Sequence, residues 1–169
     1  MKIAYADPPY IGCAHLYPEK TEVDHVDLIT KLVDEYPDGW ALSLHTPSLQ
    51  YILSLCPSDV RVMAWVKPFA VFKPNVGLAY AWEPVIIRGG RKRTREQPTV
   101  RDWFSHNITM KKGLVGAKPE LFAYWIFDAL NLQKGDEFHD IFPGTGVMMR
   151  CWEEYVSREE PLQMEFIDL

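Results

Sequence analysis

The nonapeptide FHDIFPGTG, residues 138–146, decides the predicted fold of this 169-residue chain. Asp140 follows apolar residues typical of a short strand, and Gly144 and Gly146 then open a helix predicted over 147–156. Two glycines one residue apart let the backbone turn tightly and approach a ligand, while a helix N-terminus offers free N–H groups. Taken alone, the pattern is equally compatible with a simple tight turn.

Strand and helix patterns alternate along the rest of the chain, which predicts an α/β fold with a mostly parallel sheet. The predicted strands are 2–6, 40–46, 60–66, 76–89, 137–142 and 162–168, and the predicted helices are 23–35, 47–55, 118–132 and 147–156. Thr46 is expected to cap the second helix, with Pro47 at its first position. We expect the third and fourth strands to form an antiparallel hairpin, because residues 67–75 between them have no helical period.

The composition is that of one soluble globular domain covering residues 1–169, with 47% apolar and 24% charged residues. No apolar run approaches the ~20 residues of a membrane span, and the first residues lack the apolar stretch of a signal peptide. Three scattered cysteines show no metal-ligand spacing. We therefore expect a cytoplasmic protein without a bound metal or a membrane partner.

Positive charge is concentrated in one segment of an otherwise acidic chain. Residues 88–112 contain eight Arg or Lys against two acidic residues, so they carry +6 while the remaining chain carries −11. Gly89, Gly90 and Pro98 interrupt regular structure there. The sequence therefore predicts a long, mobile basic loop, which is usually functional when a compact domain retains it.

A second motif, ADPPY, follows the first predicted strand. Asp7, Pro8, Pro9 and Tyr10 end that strand abruptly, because proline fixes φ and lacks a hydrogen-bond donor. By itself such a run is a strand-terminating turn.

Together the two motifs resemble those of the amino-methyltransferases, which methylate the exocyclic nitrogen of adenine or cytosine with S-adenosylmethionine. The resemblance covers residues 3 to about 168, and GAKPELF (116–122) is similar to the Lys-Pro segment of permuted members. It implies a circularly permuted, minimal Rossmann-like methyltransferase fold. The strands that carry the two motifs are then expected to be neighbours in the sheet.

The resemblance implies that the catalytic residues are Asp7, Pro8, Pro9 and Tyr10. The lone pair of an adenine amino group is delocalised into the ring, so the nitrogen must rehybridise before it attacks a methyl group. The Asp7 carboxylate and the Pro8 carbonyl are expected to accept hydrogen bonds from its two N–H groups. The prolines keep those acceptors rigid. Tyr10 is expected to stack on a base flipped out of a duplex. Asp rather than Ser at the first position favours adenine over cytosine.

The resemblance also implies a binding site for S-adenosylmethionine. Besides Asp7, the expected contacts are Lys118, Asp140, Phe142, Gly144, Thr145 and Gly146. Glu165 is expected to bind the ribose hydroxyls, with Asp168 as the alternative.

The catalytic motif precedes the cofactor motif, as in permuted phage and restriction-type adenine methyltransferases. The messenger-RNA adenosine methyltransferases share this order but usually carry Trp where this chain has Tyr10. A site-specific DNA adenine-N6 methyltransferase is therefore the expected function, located in the host cytoplasm if phage-encoded, with RNA methylation as the alternative.

The basic loop is the expected nucleic-acid contact. Its residues with this role are Arg88, Arg91, Lys92, Arg93 and Arg95. Guanidinium and ammonium groups neutralise phosphates but read little sequence, so low sequence specificity is expected.

The chain ends four residues after Glu165, where the family fold continues with a further helix and strand. We therefore expect either weak cofactor affinity or closure of the site by a second subunit, as a homodimer or with a partner methyltransferase. A catalytically silent nucleic-acid-binding subunit with the same fold is the alternative to an enzyme.

Overall fold

The computed structural model describes residues 1–17, 20–69, 76–108 and 117–158. The strands are β1 (Lys2–Ala6), β2 (Gly39–Ser43), β3 (Arg61–Val66), β4 (Trp82–Gly89), β5 (Trp103–Ser105) and β6 (Glu137–Asp140). The helices are α1 (His25–Glu35), α2 (Leu49–Leu55), α3 (Glu120–Ala129) and α4 (Val147–Ser157). Within these residues, no helix is both long enough and apolar enough to cross a membrane.

The six strands form one sheet in the order β5-β3-β4-β2-β1-β6. β1 pairs in parallel with β2 and β6, and β3 pairs in parallel with β5, whereas β4 is antiparallel to both β2 and β3. Five strands therefore point one way and β4 points the other. The predicted mixed α/β fold, with its mostly parallel sheet and antiparallel hairpin, is confirmed.

Helices cover both faces of the sheet because side chains alternate along each strand. Ile3 and Tyr5 pack in one cluster with residues of α3 and α4. Ala4 and Ala6 pack in the other with residues of α1 and α2. A three-layer arrangement results, with apolar packing on each side of the sheet.

The crevice between β1 and β6 is a topological switch point. The helix that follows β1 packs on one face, and the helix that follows β6 packs on the other. In open α/β sheets such a crevice, at the carboxyl ends of the strands, is where ligands bind. The register pairs Tyr5 with Asp140, so the two sequence motifs are neighbours, as expected.

Several boundaries differ from the predictions. Residues 46–48 form a short 3-10 helix, so the α-helix begins at Leu49 and Thr46 is not its cap. The fourth strand begins at Trp82 rather than at residue 76. The expectation that 88–112 holds no regular element is wrong at β5, which adds to the free edge of β3 and buries Phe104. The predicted strand 162–168 lies outside the described residues.

Phe127 holds the α3 and α4 layer onto β6, the strand that ends at Asp140. Its fully buried ring contacts the rings of Phe138 and Trp152, with centroids 5.1 and 5.5 Å away. We expect Phe127→Ala to lower the free energy of unfolding by about 3–5 kcal/mol, because it leaves a cavity in this cluster. Urea denaturation would measure the loss.

Leu121→Ala on the same helix is the control, since Leu121 is 43% exposed and its truncation should cost less than about 0.5 kcal/mol. Equal losses in the two variants would contradict this account of the packing.

Candidate active site

Charged side chains from four segments meet at the edge of the sheet where the parallel strands end, called here the carboxyl edge. Asp7 follows β1 and Lys67 follows β3. Glu83 belongs to the start of β4, which lies at the same edge because β4 runs the opposite way. Lys118 precedes α3 and completes the group.

Lys118 is the buried centre of this group. Its ammonium nitrogen lies 3.1 Å from Asp7 Oδ2, 3.1 Å from Glu83 Oε2 and 3.2 Å from the Tyr10 hydroxyl. Its side chain is only 6% exposed. Burial opposes the charge on Lys118, but Asp7 and Glu83 outweigh it and raise the pKa of Lys118, so the ammonium stays protonated.

Glu83 is the most strongly stabilised carboxylate of the group. It accepts hydrogen bonds from Lys67, from Lys118 and, at 2.9 Å, from the Tyr10 hydroxyl. Burial raises the pKa of Glu83, but Lys118 and Lys67 oppose it and lower that pKa to about 2. Glu83 is therefore an anion throughout the physiological range.

Asp7 is less completely paired than Glu83. One carboxylate oxygen contacts Lys118, while the other is 3.4 Å from the Tyr10 hydroxyl, at the long end of a hydrogen bond. Burial raises the pKa of Asp7, Lys118 lowers it, and the Glu83 charge raises it again, for a net upward shift. One oxygen of Asp7 therefore remains available as an acceptor for a further donor.

The Tyr10 ring stacks on His45, with centroids 5.1 Å apart and planes 14° from parallel. His45 follows β2, and its Nδ1 lies 2.8 Å from the Ser48 hydroxyl. Burial lowers the pKa of His45, which favours the neutral imidazole. The pair forms a flat aromatic surface beside Asp7.

Asp140 and the glycine turn occupy the neighbouring end of β6. Neither carboxylate oxygen of Asp140 has a hydrogen-bond partner among the described residues, although both are buried. Burial raises the pKa of Asp140 to about 6, and the Asp7 charge adds to the shift. The backbone N–H of Phe142 faces the carboxylate and opposes the shift without completing a hydrogen bond.

The glycine turn leaves open space. Gly144 and Gly146 adopt positive φ angles of 45° and 70°, and a side chain built on Gly146 would meet nothing within 4 Å. A cavity of about 280 Å³ lies between this turn and the start of α3, lined among others by Thr145, Lys118 and Arg150. Lys118 therefore borders both the cavity and the Asp7 cluster.

The structure thus brings Asp7, Tyr10, Lys118 and Asp140 to one edge of the sheet. Glu165 and its alternative lie outside the described residues. The segment of basic residues predicted to contact nucleic acid starts at the sheet edge opposite to this site. Its first residue, Arg88, pairs with Trp40 near the start of β2. Arg88 binds Asp59 at 2.9 Å, and Arg91 binds Asp136 at 2.7 Å. Their role as nucleic-acid contacts stays a prediction.

Sequence reasoning missed Glu83 and Lys67. The available signal was the predicted hairpin, because its register pairs Trp65 with Glu83 and so brings Glu83 close to Lys67. A two-residue turn would have fixed that register, but the connection here is residues 67–81, so the sequence does not specify it.

Comparison with known proteins bears on the fold. No protein-family model matches the sequence, and no curated protein does. Solved structures with a similar fold do match.

Two of these solved structures are of M1.HpyAVI. The crystal structure of the M1.HpyAVI–SAM complex superposes with a TM-score of 0.63 at 14% sequence identity, covering 90% of this chain and 78% of that one. A second crystal structure of M1.HpyAVI gives 0.57 at 12% identity, covering 90% and 75%. At these identities the likeness establishes the fold.

Lys118→Met tests the charge balance of the site. The variant leaves two buried carboxylates without their shared cation, and we expect it to lower the free energy of unfolding by about 3 kcal/mol at neutral pH. Loss of Lys118 raises the folded-state pKa of Asp7 further above its unfolded value. Acidification then stabilises the folded variant relative to its unfolded chain. The deficit relative to wild type should therefore shrink as the pH falls from neutral toward about 5.

Lys67→Met is the matched control. The Lys67 side chain is 16% exposed, against 6% for Lys118, and its loss leaves Glu83 paired with Lys118. Urea denaturation at both pH values measures each loss. A Lys118→Met deficit that is no larger than the control's, or that does not change with pH, would argue against the proposed charge balance.

Proposed function

We propose that this protein transfers a methyl group from S-adenosylmethionine to the exocyclic amino group of adenine in DNA. The observation that carries the proposal is the incompletely paired Asp7 carboxylate, fixed beside Asp140 and the glycine turn at the switch point of the sheet. The fold shared with M1.HpyAVI, whose structure holds SAM, supports it.

The residues present fit the cofactor. The unpartnered oxygens of Asp140 suit a ligand that carries hydrogen-bond donors and positive charge, and S-adenosylmethionine has hydroxyl, ammonium and sulfonium groups. Phe142, Gly144, Thr145 and Gly146 would hold its methionine portion against the cavity at the start of α3. When bound, S-adenosylmethionine supplies an electrophilic methyl group. Glu165 remains the predicted ribose contact.

Asp7 and the Pro8 carbonyl are the proposed acceptors for the adenine amino group. Hydrogen bonds to two acceptors favour a tetrahedral nitrogen, so its lone pair leaves conjugation with the ring and becomes available. They also stabilise the positive charge that develops on the nitrogen. Pro8 and Pro9 restrict the backbone, which limits reorganisation during the reaction.

Glu83 is proposed to keep Asp7 available. The Tyr10 hydroxyl lies 2.9 Å from Glu83 and 3.4 Å from Asp7, so its stronger hydrogen bond goes to Glu83. Glu83 also shares the Lys118 ammonium and balances the two lysines. Without Glu83, Tyr10 and Lys118 would both turn to Asp7 and compete with the amino group.

Tyr10 and His45 are proposed to receive the target base. Their nearly parallel rings present an aromatic surface next to the acceptors, and a flipped base gains stacking energy on such a surface. A neutral His45 places no additional positive charge next to the reacting nitrogen.

Asp7→Asn tests the reaction. The variant keeps the size of the side chain but replaces the anion with a neutral amide, and we expect methyl transfer to fall at least about 100-fold. Cofactor affinity should fall far less than the rate, about threefold or less, since Asp7 is only one of the expected cofactor contacts and Asp140 and the glycine turn are intact. Calorimetry with S-adenosylmethionine and transfer of a tritiated methyl group to DNA measure the two quantities.

RNA is assayed in parallel with DNA, and label in RNA alone would replace DNA as the proposed substrate. No cofactor binding by the wild-type protein, or normal turnover by Asp7→Asn, would overturn the proposal.

A further inference from the structure

A second cavity lies at the amino edge of the sheet, where the parallel strands begin. It has a volume of about 320 Å³ and is called here the arginine cleft. Arg61 begins β3 and Gly89 ends the antiparallel β4, and both line it. Arg61 at the start of β3 and Lys67 just after its end are six residues apart, about 20 Å at ~3.3 Å per residue, so the cleft and the Asp7 cluster lie toward opposite ends of this strand.

The lining of the arginine cleft is strongly cationic. Its arginines are Arg61, Arg88, Arg91, Arg93 and Arg101, and the acidic residues of the described lining are Asp59 and Asp102. The whole chain carries a net charge of −5, so this cluster of guanidinium groups lies on an otherwise acidic molecule. Guanidinium groups bind phosphate oxygens in a bidentate geometry, which makes such a set well suited to phosphate esters.

Two of the arginines fix the wall of the cleft. Arg91 binds Asp136, whose side chain is 4% exposed and also pairs with the N-terminal ammonium group. Arg93 donates hydrogen bonds to the backbone carbonyls of Pro98 and Asp128. Because these contacts attach the segment after β4 to the α3 layer, the cleft is formed before any ligand arrives.

The ion pairs at the mouth of the cleft are exposed. Arg61 binds Asp102 at 3.2 Å, with the two side chains 74% and 56% exposed, and Asp59, the partner of Arg88, is 62% exposed. Ion pairs between exposed side chains contribute little to stability. A phosphate group can therefore replace these carboxylates at little cost.

An aromatic ring extends the cationic surface. The guanidinium of Arg101 lies 5.4 Å from the centroid of the Trp103 ring, and Trp103 is 40% exposed. Exposed aromatic rings beside arginines are surfaces on which nucleobases stack.

We propose that the arginine cleft is a phosphate-ester binding site, separate from the carboxyl edge. Its ligand is either the backbone of a nucleic-acid strand or a free nucleotide, which share the same chemistry. The inference goes beyond the proposed methyl transfer and does not depend on it.

Two double variants of equal charge test the site. Arg61→Gln with Arg101→Gln removes two charges from the cleft, whereas Lys31→Gln with Lys134→Gln removes two from exposed positions outside the lining. Binding of a fluorescent single-stranded oligonucleotide and of ADP is measured by anisotropy and calorimetry. The cleft variant should weaken phosphate binding about tenfold or more, and the control less than about threefold.

A third variant, Asp59→Asn with Asp102→Asn, should tighten binding, since it removes the competing carboxylates; it keeps the test decisive if the cleft variant does not fold. If the oligonucleotide binds and ADP does not, the ligand is the nucleic-acid backbone. If ADP also binds and each probe displaces the other, the ligand is the nucleotide. Equal losses in the first two variants, or no binding of either probe by the wild type, would overturn the proposal. Calorimetry with S-adenosylmethionine on the same samples reports separately on the proposed function.

Discussion

The buried ammonium group of Lys118 is the interaction on which the candidate active site depends. It joins the segment before α3 to the loop after β1 and to the start of β4 through contacts of 3.1 Å to Asp7 and to Glu83. A buried cation requires anionic partners, so three segments distant in sequence must meet at one point. The positions of Asp7, the β3–β4 hairpin and α3 are therefore coupled through one charge.

The sheet has two edges with different electrostatic character. At the carboxyl edge, Lys67 and Lys118 are balanced by Asp7 and Glu83, which suits a site where positive charge moves between a donor and an acceptor. In the arginine cleft at the amino edge, arginines outnumber the carboxylates of the lining, which suits an anionic ligand. The proposed methyl transfer and the proposed phosphate binding are thus assigned to opposite edges of one sheet.

Much of the fold could be predicted from the sequence, because apolar periodicity and turn residues fix each element locally. The neighbouring positions of Asp7 and Asp140 were implied by the resemblance of two short motifs. Other features depend on pairings between distant residues. Glu83 enters the site only through the register of the hairpin, and the arginines reach the amino edge because β4 runs against the other strands. Three-residue β5 is too short to show a pattern.

Centrally, Glu83 is proposed to hold Tyr10 and Lys118 so that one Asp7 oxygen stays free to accept a hydrogen bond from the amino group. The pH dependence of the methyl-transfer rate in Glu83→Gln, compared with wild type, tests it most directly. The rate should fall as the pH falls through the pKa of Asp7, which the Glu83 charge helps to raise. Glu83→Gln should therefore lower the maximal rate and move the acid limb to lower pH. An acid limb that stays in place, or moves to higher pH, would contradict the account.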